Sequence, residues 1–80
     1  MAIDVRAILN RDHHTCQFRL RGCIRTATEV ELRLPKFLGG ERTPSNAAAA
    51  CDYCSRELHR HRRIAAEVVA NWRHHPSQWP

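Results

Sequence analysis

The sequence predicts a small α+β domain that depends on a bound metal ion for its stability. Three features lead to this fold class. The chain has 80 residues, and a domain of this size buries only about 60% of the surface that its unfolded chain exposes. It has four cysteines in two pairs, which can hold a metal ion. It also has one segment with the period of a strand and a longer one with the period of a helix.

The first predicted element is a short helix from Val5 to about Asn10. Asp4 precedes it and is a favourable N-cap residue, and the apolar residues that follow share one helical face. Residues 11–27 show no regular period and carry the first two cysteines. We therefore expect a short helix followed by an irregular segment.

Residues 28–34 alternate between apolar and charged side chains, which predicts a half-buried strand. The apolar face carries Val30, Leu32 and Leu34, and the charged face carries Glu29, Glu31 and Arg33. Pro35 ends this strand because proline cannot donate to a sheet. The Gly39-Gly40 pair predicts a turn, followed by a short return strand near residues 41–43.

Residues 44–46, with the sequence Pro-Ser-Asn, predict the start of a helix that continues into the alanine run 47–50. A longer helix is predicted from just after Cys54 to about Arg73. Its apolar stripe at helical spacing consists of Leu58, Ala65, Val68, Val69 and Trp72. We expect residues 1–75 to form a single domain and residues 76–80 to form a loose tail.

The cysteines predict a zinc site. Cys16 and Cys23 form one pair, and Cys51 and Cys54 form a C-x-x-C pair. Four thiolates match the closed tetrahedral coordination of structural zinc, which contributes about 10–16 kcal/mol in small peptides. Four buried free thiols or two disulfides are the alternatives. The start of the chain lacks the apolar run of a signal peptide, and no stretch is long enough to cross a membrane, so we expect a cytoplasmic protein with reduced thiols.

The charge predicts an acidic partner. Lys and Arg number 13 against eight Asp and Glu, which gives a net charge of +5. Arginine supplies all of the cations except Lys36, and its planar fork matches phosphate and guanine edges well. Nucleic acid, and DNA in particular, is the expected partner, and no membrane partner is expected. The arginine-rich and alanine-rich composition is typical of a phage or mobile-element protein, whose cytoplasm would be that of the host.

Three segments together carry a resemblance to a known family. They read "ILNRDHHTCQFRLRGC", "ATEVELRLPKFLGG" and "PSNAAAACDYC", and a basic stretch follows them. From about residue 6 to residue 62 the chain resembles the HNH endonuclease family in its zinc-stapled form. The resemblance implies a ββα-metal fold, which is treble-clef-like, with zinc at its base and a long C-terminal helix. It also implies a separate catalytic divalent ion.

The same resemblance marks four positions for chemistry. Glu31 lies where the family has a metal-binding Asp, and Leu32 lies where it has the His that acts as general base. Asn46 matches the Asn that orients this His, and Ser55 lies at the last metal ligand. Leucine can neither accept a proton nor bind a metal, and a serine hydroxyl is a weak ligand. These changes predict an inactive site without a catalytic ion, unless His59, one helical turn after Ser55, substitutes.

Two surfaces remain as candidates for binding. The basic residues expected to contact phosphate are Lys36, Arg56, His59, Arg60, Arg62 and Arg63. A solvated charged helix face is the alternative interpretation. Leu32 belongs either to the core or to an exposed apolar patch that continues into Phe37 and Leu38 and binds a protein.

The sequence therefore favours a zinc-stabilised, HNH-like nucleic-acid-binding protein that does not cleave. An active or weakly active metal-dependent DNA endonuclease that uses Glu31 and His59 is the first alternative. A small adaptor or inhibitor that binds a partner protein through residues 35–45 is the second.

Overall fold

The computed structural model describes residues 3–74, and side-chain burial through residue 70. Two helices and two strands form the fold: α1 (Val5–Arg11), β1 (Glu29–Leu32), β2 (Ala47–Ala50) and α2 (Asp52–His74). Short 3₁₀ turns lie at Lys36–Leu38 and Pro44–Asn46. The predicted α+β class is confirmed. The predicted loose tail, residues 76–80, lies outside the described residues.

Helix α1 forms as the sequence predicts. The side chain of Asp4 accepts a hydrogen bond from the backbone N–H of Ala7 at 3.3 Å, which caps the first turn. At the other end, the Asp12 carboxylate accepts from the N–H of Ala49 at 2.9 Å. Arg11 donates to the carbonyl of Ala47 at 2.6 Å. These bonds fasten the end of α1 to β2.

The alanine run is a strand, so the predicted helix start at residues 44–50 is wrong. The strand β2 pairs antiparallel with β1, with Glu29 opposite Ala50 and Leu32 opposite Ala47. All four alanines of β2 are almost completely buried, so their backbone groups need partners. The strand β1 supplies them on one side, and Arg11, Asp12 and Gln17 supply them on the other. This pairing overrides the helical preference of alanine. The return strand predicted at residues 41–43 is also wrong, because the returning chain pairs only from Ala47 onward.

Asn46 closes the loop between the strands. Its side-chain Oδ1 accepts from the N–H of Leu34 at 2.9 Å, and its Nδ2 donates to the carbonyls of Leu34 at 3.0 Å and Glu41 at 2.9 Å. An amide side chain thus replaces a neighbouring strand beyond Leu32. For this reason β1 is shorter than the predicted strand 28–34.

Replacing Asn46 with alanine is expected to lower the free energy of unfolding by about 1–3 kcal/mol, because backbone groups of Leu34 and Glu41 lose their partners. Urea denaturation of the metal-loaded protein measures this change. Ser45→Ala is the matched control, since the Ser45 hydroxyl bonds only to the exposed Thr43 hydroxyl at 3.1 Å among the contacts described. Equal stability of the two variants would contradict the proposed role of Asn46.

Helix α2 is confirmed, although its apolar stripe is only partly buried. Leu58 is half-buried, whereas Ala65 is exposed and Val68 is 56% exposed. The side chain of Trp72 lies outside the described part of the chain. The helix has 23 residues, which correspond to about 34 Å, and strands of four residues span only about 13 Å. The second half of α2 therefore extends past the sheet.

The core consists of small residues and cysteines. It is formed by Ile8, Ala27, the alanines of β2, Ser55 and the cysteines at positions 16, 51 and 54. Phe18 and Leu20 pack against the buried cysteines. Among residues 3–74, neither helix combines the length and the apolar character that crossing a membrane requires.

Candidate metal centre and adjoining cleft

The four cysteines lie together, as the sequence predicts. Their Sγ atoms are all within 4.8 Å of one another. Cys16, Cys51 and Cys54 are buried, and Cys23 is half-buried. All four are free thiols, so the alternative of two disulfides is not what the structure has. The cluster is a possible metal site.

Two parts of the chain supply these thiols. Cys51 directly follows β2, and Cys54 lies in the first turn of α2, where its N–H donates to the Cys51 Sγ at 3.3 Å. Cys16 and Cys23 belong to the segment between α1 and β1. The N–H of Cys16 donates to the carbonyl of Arg25 at 2.6 Å, and the N–H of Arg25 donates to the Cys23 Sγ at 3.3 Å. This segment thus folds back and presents both thiols to the other pair.

The thiols differ strongly in their tendency to ionise. Burial opposes ionisation of Cys51, but hydrogen bonds from backbone N–H groups and from neighbouring thiols outweigh it and lower its pKa to about 6. For Cys54, burial raises the pKa to about 12, and the neighbouring thiols add to the increase. One thiolate therefore forms readily and hinders the next. A bound cation would remove this competition, because it deprotonates the thiols that coordinate it.

The spacing of the sulfurs fits a tetrahedral ion. Zinc lies about 2.3 Å from each thiolate, which places the sulfurs of one tetrahedron about 3.8 Å apart. The Sγ atoms of Cys51 and Cys23 are 3.8 Å apart. Thiolates also favour soft ions over magnesium or calcium. The four cysteines can therefore hold a metal ion such as zinc.

A polar cluster lies beside the cysteines, at the junction of β1 and α2. The hydroxyl of Ser55 lies 2.7 Å from Glu31 Oε2 and 3.2 Å from Glu29 Oε1. His59 Nε2 lies 2.9 Å from the same Glu31 oxygen. Ser55 is only 2% exposed, whereas the His59 side chain is 71% exposed. The structure therefore brings Glu31, Ser55 and His59 together. The resemblance implied that Glu31 and Ser55 share a site, and helical spacing placed His59 beside Ser55.

Glu29 is a member of this cluster that the sequence analysis did not select. Residues two apart on a strand point to the same face, so its alternation with Glu31 was the available signal. The single proton of the Ser55 hydroxyl can serve only one of the two carboxylates at a time. Among the described residues, only the four cysteines bring three or more metal-ligating side chains close enough together to hold an ion. The polar cluster is thus not arranged as a preformed metal site.

Leu32 lines a cleft of about 500 Å³ that runs along β1. Its walls come from the start of α1, from β1, from the turn after it and from α2. The lining residues are Ile3, Val5, Val30, Glu31, Leu32, Pro35, Lys36, Phe37, Arg42, His59 and Arg62. Leu32 is half-buried, so the structure favours the interpretation of Leu32 as part of an accessible apolar surface. Phe37 shares this cleft, while Leu38 is 54% exposed and does not line it.

Asn46 does not contact the polar cluster. Its three side-chain hydrogen bonds go to the backbone of Leu34 and Glu41. The contacts of Asn46 therefore indicate that it shapes the loop which carries Lys36 and Phe37 to the cleft.

The basic residues of α2 are more strongly paired than the sequence suggested. Arg56 lies 3.4 Å from Asp52, and Arg60 lies 3.0 Å from Glu57. Arg62 donates weakly to the carbonyl of Arg33 at 3.3 Å. These contacts leave the basic side chains of α2 accessible, with Arg56 80% exposed and Arg60 62% exposed.

The expected phosphate-binding residues fall into two groups. Lys36, His59 and Arg62 line the cleft, and Arg42, which the sequence analysis missed, joins them. Arg56, Arg60 and Arg63 lie on α2 outside the cleft lining. Arg42 follows the glycine pair in a loop, and no sequence pattern reveals which way such a loop folds.

Comparisons with protein-family models, with curated proteins and with solved structures find no match for this chain. The resemblance to the HNH family therefore remains a prediction from the motifs of the sequence.

Proposed function

We propose that this chain is a zinc-stabilised, HNH-like nucleic-acid-binding protein that does not cleave. The observation that carries the proposal is the composition of the cleft beside the cysteine cluster. Leu32 lies in that cleft next to Glu31 and His59, and cationic side chains surround it. An apolar side chain thus lies where the resemblance expects the general base, within a basic surface.

The argument against cleavage rests on two side chains. Hydrolysis of a phosphodiester needs a base for the attacking water, and a positioned base contributes about 10²–10⁴ in rate. Leu32 cannot act as this base. Ser55 is buried, and its hydroxyl already lies within hydrogen-bond distance of two carboxylates, which leaves it unsuited to bind a catalytic ion.

The argument for binding rests on accessible arginines. The ion pairs of Arg56 and Arg60 are on the surface, where such pairs contribute only about 0–1 kcal/mol. Phosphate can therefore replace the carboxylates at small cost. Arg63 is exposed and forms no ion pair within the described residues. Contacts of this kind give affinity without sequence readout.

Binding to a fluorescently labelled DNA, measured by anisotropy over a series of salt concentrations, tests the proposal. We expect affinity to fall steeply as salt rises, because bound cations release counterions from the DNA. Arg63→Ala is expected to reduce the slope of log affinity against log salt by about 1. Arg6→Ala removes the same charge from the exposed surface of α1 and is the matched control. The absence of DNA binding, or an affinity that does not change with salt concentration, would reject the proposal.

A weak metal-dependent nuclease is the second candidate, and the distance of 2.9 Å between His59 and Glu31 favours it. A carboxylate and an imidazole in contact could share a divalent ion when it is supplied. Incubation of supercoiled plasmid with magnesium, manganese or nickel tests this candidate. It requires nicking that both Glu31→Ala and His59→Ala abolish, whereas intact plasmid under all three ions supports the non-cleaving function.

A further inference from the structure

We propose that the cleft along β1 receives one unpaired nucleotide of a nucleic-acid strand. The base would lie against the apolar wall, and the phosphates would lie at the cationic rim. This inference rests on the proposed nucleic-acid-binding function and specifies the form of nucleic acid: single strands, flaps or mismatched sites rather than a fully paired duplex.

The apolar wall suits a base. Val5, Val30, Leu32 and Phe37 contribute to it from three different parts of the chain, and none of the four is fully buried. Bases in protein pockets are held between apolar or aromatic side chains. Phe37 offers an aromatic face for stacking, which every base can use.

The rim suits phosphate. Lys36, Arg42 and Arg62 line the same cleft from the turn after β1, from the loop beyond it and from α2. Among the described residues, Glu31 is the only acidic residue in the lining, and it is engaged by Ser55 and His59. The cleft therefore carries an excess of positive charge beside an apolar surface, which is the complement of a nucleotide.

The size of the cleft favours one nucleotide over a base pair. Its volume of about 500 Å³ lies within the range of about 300–1,000 Å³ that encloses a single small ligand. A base within a duplex must first be unstacked and unpaired before it can enter such a pocket, and that step is cheapest for a base that is already unpaired. We therefore infer a preference for unpaired bases.

An extended acidic peptide is the competing occupant. The strand β1 has only β2 as its sheet neighbour within the described residues, and an extended peptide can add to an open strand edge. The chain as a whole carries a net charge of +5, with accessible arginines on α2 as well as at the cleft. A nucleic-acid strand can reach both surfaces at once, which favours a nucleotide in the cleft.

The test compares three labelled DNAs of equal length at one salt concentration: a single strand, a blunt duplex, and a duplex with one central mismatch that carries 2-aminopurine. We expect the single strand and the mismatched duplex to bind at least about 10-fold more tightly than the blunt duplex, because a paired base must first be unpaired. Phe37→Ala is expected to weaken binding of the single strand by about 5- to 150-fold, the range for loss of one stacked base. The same variant should leave duplex affinity almost unchanged.

Two further variants keep the result interpretable. Phe37→Leu retains an apolar side chain and a folded loop but removes the aromatic face, so it should also weaken the single strand selectively. Arg63→Ala, outside the cleft lining, should weaken all three DNAs to a similar degree. Far-UV circular dichroism and metal content confirm that each variant is folded.

Equal affinities for the three DNAs, unaffected by either Phe37 variant, would overturn the inference and leave the proposed function intact. If the wild-type protein binds none of the three DNAs, both the inference and the proposed function are overturned. Displacement of bound single strand by an acidic, apolar peptide, combined with no change in 2-aminopurine fluorescence on binding, would assign the cleft to a peptide and reject the nucleotide.

Discussion

Replacing Cys51 with serine is expected to unfold most of the domain. Cys51 is completely buried, and its Sγ lies within 4.8 Å of the other three cysteine sulfurs. Serine cannot supply the thiolate that a soft ion requires. A structural zinc ion contributes about 10–16 kcal/mol, which is comparable to the total stability of about 5–15 kcal/mol that a typical domain has.

The composition of the core explains why the rest of the fold cannot compensate for the loss of this metal-binding free energy. Four of its residues are the alanines of β2, and Ile8 is the only large aliphatic side chain that is buried among the described residues. The apolar stripe of α2, which could have added a hydrophobic contribution, is exposed at Ala65 and Val68. A metal ion held by the four cysteines would therefore supply the stability that the small hydrophobic core of this chain lacks.

Far-UV circular dichroism and thermal melting, with and without a chelator, measure the effect. Wild-type protein stripped of metal should resemble Cys51→Ser, and added zinc should restore only the wild type. Cys23→His is the matched control: Cys23 is the half-buried member of the cluster, and imidazole is also a good zinc ligand. A cooperative, chelator-independent melt for Cys51→Ser would show that the cysteines stabilise the fold without a metal.

Local signals in the sequence predicted helices α1 and α2 and the cluster of four cysteines well. Asp4 caps α1, and the C-x-x-C pair marks the start of α2, so each element can be read from a few neighbouring residues. The strand β2 could not be read in this way. Four consecutive alanines have no strand period and favour a helix, and only their pairing with β1, across the intervening loop, makes them a strand.

The candidate site, like the fold, was predictable from the sequence only in part. The proximity of Ser55 and His59 follows from spacing, because residues four apart share one face of a helix. That Glu31 contacts both was expected only from the family resemblance, and the structure shows the contact. The cleft did not follow from spacing. It depends on how the loop after β1 folds, and that loop is held by the side chain of Asn46 and by Gly40, where a Cβ would lie 1.8 Å from the carbonyl oxygen of Leu34.

Replacing Leu32 with histidine is expected to raise metal-dependent DNA nicking by about 10²–10⁴-fold, the contribution of a positioned general base. This expectation follows from the proposed function, in which Leu32 is one of the two side chains that prevent cleavage and is the one that replaces the general base. Leu32 is half-buried and lines the cleft that also contains Glu31 and His59, so an imidazole can occupy the position without disturbing the core. Ser55 is buried, and a histidine there would have to displace its neighbours.

Relaxation of supercoiled plasmid in the presence of magnesium, manganese or nickel measures the gain. Leu32→Gln is the matched control, because glutamine is polar and of similar size but cannot act as a base at neutral pH. Adding Glu31→Ala to Leu32→His should remove the gain, since Glu31 is the carboxylate that remains at the site. If Leu32→His is folded and binds DNA yet does not nick it, position 32 is not the site of a lost base. The basic cleft would then be explained by its binding chemistry alone, without any relation to a nuclease site.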